Sequence, residues 1–138
     1  MVNVLDKVQP KNKTQLKSLI EYAFNHNIYD LNFIDTSKIT DMSNLFMNCE
    51  YDIDVSNWDV SNVTDMAGMF VGCENFNCDL SNWDVSNVTD MDNMFVNCKK
   101  FNYDLSDWDI SNITRWKNMF AGCDKMTIPN WYKLYHKK

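Results

Sequence analysis

The sequence predicts an α/β solenoid: a leucine-rich-repeat-like right-handed coil of about four 25-residue strand–turn–short-helix units behind an N-terminal cap helix. Three observations predict it. The stretch DVSNVTDMAGMFVGC, beginning at Asp59, returns 25 residues later from Asp84 as DVSNVTDMDNMFVNC and again from Asp109 as DISNITRWKNMFAGC; a worn first copy, DTSKITDMSNLFMNC, starts at Asp35. Self-similarity at a fixed period in this range marks stacked supersecondary units. Each unit also passes from a period-two pattern to an apolar stripe at i, i+3, i+4 and i+7, the change expected where a strand gives way to a helix. Finally, the residue before the cysteine is Asn48, Gly72, Asn97 and Gly122 in the four copies. Asn and Gly tolerate the left-handed conformation that ends a helix.

The elements follow in chain order. Residues 1–33 are expected to form a lead-in and cap, because KTQLKSLIEYAFN (13–25) places Leu16, Leu19, Ile20, Ala23 and Phe24 on one helical face, starting near Thr14. That face would cover the first repeat. Residues 34–124 are the repeat solenoid. In the unit ending at Cys98, Phe76, Cys78 and Leu80 alternate with Asn77, Asp79 and Ser81, which predicts a short strand with one buried face. The chain should bend at Trp83, turn through 84–88, and enter a helix capped by Thr89 with Met91, Met94, Phe95 and Cys98 facing the core. The first copy is one residue short, with 24 residues from Phe46 to Phe70 against 25 later, and the gap falls between Cys49 and Asp54. Residues 125–138 are read as a C-terminal cap and basic tail in which Trp131 closes the stack. Trp58, Trp83 and Trp108 should then form a column.

The repeated WDVSNVTDMxxMFxxC resembles the 25-residue repeat of BspA-like leucine-rich-repeat surface proteins, the type catalogued in mycoplasma lipoproteins, and the likeness runs from about residue 8 to residue 124. PKNKTQLKSLI (10–20) and DLNFIDTSKITDMSNLF after it resemble that family's lead-in. The resemblance implies a non-enzymatic module that binds host proteins or other cells, surface display being common among its members. Against display, residues 1–10 lack a charged start followed by an apolar core, and no lipid-attachment cysteine is present, so an intracellular setting is favoured.

Composition bounds the rest. One domain of 138 residues is expected. No run of 18 apolar residues exists, so no membrane span is expected. Net charge is −6, and between Lys38 and Lys99 there is no Lys or Arg. An acidic middle repels phosphate, which makes nucleic acid an unsuitable ligand for the repeat face. His26 and His136 lie far apart, and no nucleophile motif, phosphate loop or metal-ligand spacing occurs, so no enzyme, cofactor or metal site is expected.

Within the repeats, Asp54, Asp79 and Asp104 form one ladder, flanked by Ser56, Ser81 and Ser106; Asp59, Asp84 and Asp109 form a second. Like charges stacked one strand apart need relief, either from backbone N–H groups of the turn or from a bridging Ca²⁺. Cys49, Cys73, Cys98 and Cys123 stack as buried thiols, with bridges between neighbours geometrically possible, while a straight ladder cannot surround zinc. Met42, Met66, Met69, Met91, Met94 and Met119 fill the core. Asn62, Asn87 and Asn112 open N-x-Thr patterns that turn and cap chemistry explains without glycans.

The function expected is protein binding by a monomer through the exposed strand face, with Asn77, Asp79, Ser81, Asn102, Asp104 and Ser106 as contacts, joined by Asp54 and Ser56. A Ca²⁺-binding repeat module and a structural or assembly role are the alternatives.

Overall fold

The computed structural model describes residues 7–135, so the readings on residues 1–6 and 136–138, including His136, lie outside the described residues. The molecule is a stack of four turn-rich tiers closed by a helix at each end: α1 (Lys13–Asn25) before the first tier and α2 (Asn130–Tyr135) after the last.

Helix α1 forms where its apolar stripe predicts. The Asn12 side chain accepts from Gln15 N at 2.9 Å, and Gln15 Oε1 accepts from Lys11 N at 2.8 Å, so two otherwise orphaned amides are met. It ends in a left-handed Asn27 (φ 59°), with Ile28 N bonding Ala23 O and Asn27 N bonding Phe24 O. These paired bonds satisfy the last carbonyls. Leu16, Ile20 and Ala23 are buried against the first tier.

The repeats themselves are not strand–turn–helix units. Among the described residues there is no β-strand, only isolated parallel bridges such as Asp41 with Asp65, Asp65 with Asp90 and Asp90 with Arg115. Nor is any helix present between α1 and α2. The chain is therefore not an α/β solenoid, and a leucine-rich-repeat architecture does not describe it.

The predicted helix at 91–98 fails because its amides point elsewhere. Met91, Asn93, Phe95 and Asn97 donate to the carbonyls of Arg115, Lys117, Met119 and Ala121 at 2.6–2.9 Å, in the next tier, leaving no i→i−4 ladder. The amides between them close tight turns: Met94 N to Met91 O, Val96 N to Asn93 O, and Cys98 N to Phe95 O. Asn93 and Asn97 both sit at φ 62°, and their equivalents Asn44, Gly68 and Asn118, and Asn48, Gly72 and Gly122, are likewise at positive φ, between 57° and 75°. Two left-handed residues in every eight cannot lie in an α-helix, but they suit consecutive tight turns.

The predicted strand at 76–81 fails for a related reason. A strand needs repeated backbone pairing. Here side chains make the links between tiers: Asn77 Oδ1 accepts from Asn102 N at 3.2 Å, Asn32 Oδ1 from Asn57 N at 2.9 Å, and Cys78 Sγ from Val55 N at 3.4 Å. Leu80 O takes Trp83 N at once, bending the chain.

Stacking of equivalent residues is nonetheless regular. Phe46, Phe70, Phe95 and Phe120 lie parallel with ring centroids 5.8, 5.6 and 5.6 Å apart. Beside them Trp58, Trp83 and Trp108 each donate Nε1–H to a carbonyl of the preceding tier, Leu31, Val55 and Leu80, at 2.8–3.1 Å. Trp131 of α2 repeats that bond to Leu105 O at 3.0 Å and so closes the column, with Trp116 stacked 5.9 Å away. Thr89 is no helix cap; its N–H donates to Thr64 O and its carbonyl accepts Thr114 N, making it a rung. In the shortened first return, Tyr51 packs on Phe24 of α1 (4.9 Å) and on Tyr29 (4.5 Å).

Candidate binding face

The face singled out by sequence is built from one turn repeated in each tier. Asp54, Asp79 and Asp104 sit two residues before Ser56, Ser81 and Ser106, the spacing at which a carboxylate can accept from the turn's own backbone. It does so: the three serine amides donate to Oδ1 at 3.0, 2.9 and 2.9 Å. The hydroxyls of Ser56 and Ser81 add a second bond at 2.7 Å. The second column, Asp59, Asp84 and Asp109, is capped alike by Ser61, Ser86 and Ser111 at 3.0–3.1 Å. Each carboxylate thus relieves its charge on donors two residues away, the backbone form of the two remedies.

These bonds favour the ionised form. The Ser56 amide and then its hydroxyl hold Asp54 below the ordinary carboxylate range, against a smaller opposing effect of burial. The Ser106 hydroxyl and amide do the same for exposed Asp104. No Lys or Arg pairs with Asp54, Asp79 or Asp104 among the described residues; the ion pairs found there join Lys13 to Asp41, Lys99 to Asp124, and Arg115 to Asp90 and Asp92.

The face is not flat. One depression of about 310 Å³ is lined by Asp52, Ile53, Asp54, Ser56, Asn77, Cys78, Asp79 and Tyr103. A second, of about 450 Å³, is lined by Asn102, Tyr103, Asp104, Ser106, residues 127–130 and Lys133. Tyr103 borders both. The structure brings together Asp54, Ser56, Asn77 and Asp79 in the first and Asn102, Asp104 and Ser106 in the second; Ser81 lines neither. Sequence reasoning missed Asp52, Tyr103, Pro129 and Lys133. For Tyr103 the signal was available, since it stands where the other units carry Ile53 and Cys78.

The remaining candidate groups are occupied internally. The thiols of Cys73, Cys98 and Cys123 donate to the carbonyls of Phe46, Phe70 and Phe95 at 2.8–3.1 Å, and all five cysteines are free. Burial pushes Cys73 and Cys78 up to about 12 and Cys123 up to about 11, so these thiols stay protonated at neutral pH. The six methionines of the stripe are wholly buried in the core. Asn62, Asn87 and Asn112 donate their side-chain amides to Ser37, Ser61 and Ser86 carbonyls at 2.6–2.7 Å. Among the described residues no group of three or more His, Cys, Asp or Glu converges on one point.

A family model described as "Mycoplasma protein of unknown function, DUF285" matches residues 14–131, which takes in all of α1 but its first residue, all four tiers and the start of α2. The chain belongs to the DUF285 family. No curated protein and no solved structure matches it. The DUF285 match thus spans the stacked turns and, from residue 14 onward, the lead-in that resembled the BspA-like group. No helix among the described residues is long and apolar enough to cross a membrane.

Proposed function

We propose that this DUF285 protein is a non-enzymatic protein-binding module that engages its partner through the face carrying Asp54, Ser56, Asn77, Asp79, Asn102, Asp104 and Ser106. The observation that carries the reading is that seven of the eight residues chosen from sequence line two adjoining depressions sharing Tyr103. Concave ground bearing an aromatic side chain and outward polar groups is the kind of surface on which partners anchor. The relation between the DUF285 and BspA-like families supports the same reading, and on it this chain is a BspA-like binding module. The unpaired carboxylates of the face suit a partner rich in Lys, Arg or other hydrogen-bond donors.

The test must spare the turns, because Asp79 and Asp104 cap them. Asp79→Asn with Asp104→Asn keeps a side-chain oxygen for the serine amides and removes both charges. Proteins captured from a host-cell lysate by the wild type should be lost or weakened about tenfold with the double variant, whose melting temperature should fall only slightly because the caps lose their charge but keep their acceptor oxygen. Identical capture by the two proteins removes this face from the function.

A further inference from the structure

On the side of each tier between its two left-handed residues, one outward side chain is apolar in every copy: Met47, Val71, Val96 and Ala121. Phe70 turns into the core and Val71 turns out, while Phe70 N and Gly72 N bond along the stack to Met94 O and Val96 O at 2.9 and 2.8 Å. Asn48 N bonds Val71 O and Asn97 N bonds Ala121 O in the same way, at 2.7 and 2.8 Å, so the four residues form one continuous column. Met47 is 46% exposed, Val71 and Val96 are half-buried, and Ala121 is exposed. The ground beside the column is low. Gly68 and Gly72 carry no side chain, and those of Asn44 and Asn48 lie over them, each Oδ1 standing where a Cβ would be.

Two properties change along this face from the first tier to the last. Side-chain size falls in the order Met, Val, Val, Ala. Charge changes sign in the column that follows the cysteines, from Glu50 and Glu74 to Lys99, with Lys100 next to it. Among the described residues Glu74 enters no ion pair, and Lys99 meets Asp124 at 3.6 Å with both still open to solvent. Other outward columns behave differently: Asp54, Asp79 and Asp104, like Asp59, Asp84 and Asp109, keep one sign and repel a copy of themselves. A two-fold axis lying across the stack sets the first residue of a column against the last. Met47 then meets Ala121 and Val71 meets Val96, so the large side chain lies on the small one. Glu74 meets Lys99, twice by symmetry. Glu50 comes to Asp124 and Asp65 to Asp90, but each of those two aspartates already has a cation, Lys99 and Arg115, at 3.6 Å.

We propose that this face is a self-association surface: two copies of the chain pack antiparallel, apolar column on apolar column, in place of the monomer expected from the sequence. The even rise of the tiers, seen in the 5.6–5.8 Å spacing of the phenylalanine rings, keeps the two columns in register over all four positions. Burial of the methionine and the valines supplies the affinity, and the Glu74–Lys99 pairs fix the direction. The contact is isologous and closes on itself, so assembly stops at two copies. It shares no residue with the face of the proposed function, so either can fail without the other.

The test is sedimentation equilibrium of the full chain over a range from about 5 µM to about 1 mM. So short an interface falls at the weak end of specific contacts, so a dimer Kd on the order of 100 µM is expected, with no larger species. Glu74→Lys, at an exposed position, sets Lys on Lys and weakens dimerisation about tenfold; adding Lys99→Glu restores most of it. Ala121→Met weakens it by a similar factor because two methionines then collide, and adding Met47→Ala restores it. The two rescues separate a lost contact from a damaged fold, and only the antiparallel register predicts both. A wild type that stays monomeric at the highest concentration, a dimer indifferent to Glu74→Lys, single variants that their second substitutions do not rescue, or assembly that grows past the dimer each overturns the assignment.

Discussion

At the scale of single residues, the aspartates that look like ligands are structural caps whose charge is useful to the fold. Asp54, Asp84, Asp104 and Asp109 all titrate below the ordinary carboxylate value of 3.8, chiefly through the amides and hydroxyls of Ser56, Ser86, Ser106 and Ser111. A depressed folded-state pKa means that the stabilisation is complete above the unfolded value and is lost as pH falls through the folded ones. The melting temperature should therefore hold from neutrality down to about pH 4 and then drop as the caps protonate. A Tm that begins falling near pH 6, or stays level in strong acid, would contradict the capping role. The D-x-S spacing made these caps legible in the sequence, because an Asx turn needs only a carboxylate two residues before a free amide.

At the scale of the element, the lesson lies in the eight residues from Met91 to Cys98. Their inward positions were read correctly, since Met91, Met94, Phe95 and Cys98 are all buried. Their conformation was not. An i, i+3, i+4, i+7 stripe is produced equally by one helix or by successive tight turns, and periodicity cannot separate the two. The second left-handed position, Asn44, Gly68, Asn93 and Asn118, was the overlooked signal: a Gly or Asn three residues after Asp41, Asp65, Asp90 and Arg115 belongs in turns. Likewise, the depressions of the candidate face depend on Tyr103 and on the path of 127–133, which the repeat pattern does not encode. The turn geometry makes Gly72 a sensitive point. It sits at φ 72°, and a Cβ there would overlap Asn48 Oδ1 in the tier above. Gly72→Ala should cost roughly 1–2 kcal/mol for the left-handed backbone, with more for the overlap. Adding Asn48→Gly should restore only the overlap share in urea denaturation; full recovery would show that backbone strain contributes nothing.

At the scale of the whole molecule, each tier bonds only its immediate neighbours, through rungs such as Gly68 N to Asp92 O and Asn93 N to Lys117 O, and the ends carry unequal caps. Stability in such an array is a sum of local terms and interface terms, so opening begins where interfaces are missing. The amino-terminal tier gains the thirteen-residue α1, capped at both ends and anchored by Leu16, Ile20 and Ala23, whereas the last tier has only the six-residue α2, with no buried residue. Native-state hydrogen exchange should follow that gradient. The amides of Met66, Gly68, Phe70 and Gly72, each bonded at 2.8–2.9 Å to the next tier and flanked by tiers on both sides, should open only in global unfolding. Those of Met91, Asn93, Phe95 and Asn97 should exchange sooner, through detachment of the last tier together with α2. Equal protection across both rows would mean that the tiers unfold as one cooperative unit and that the weaker carboxy-terminal cap carries no energetic consequence.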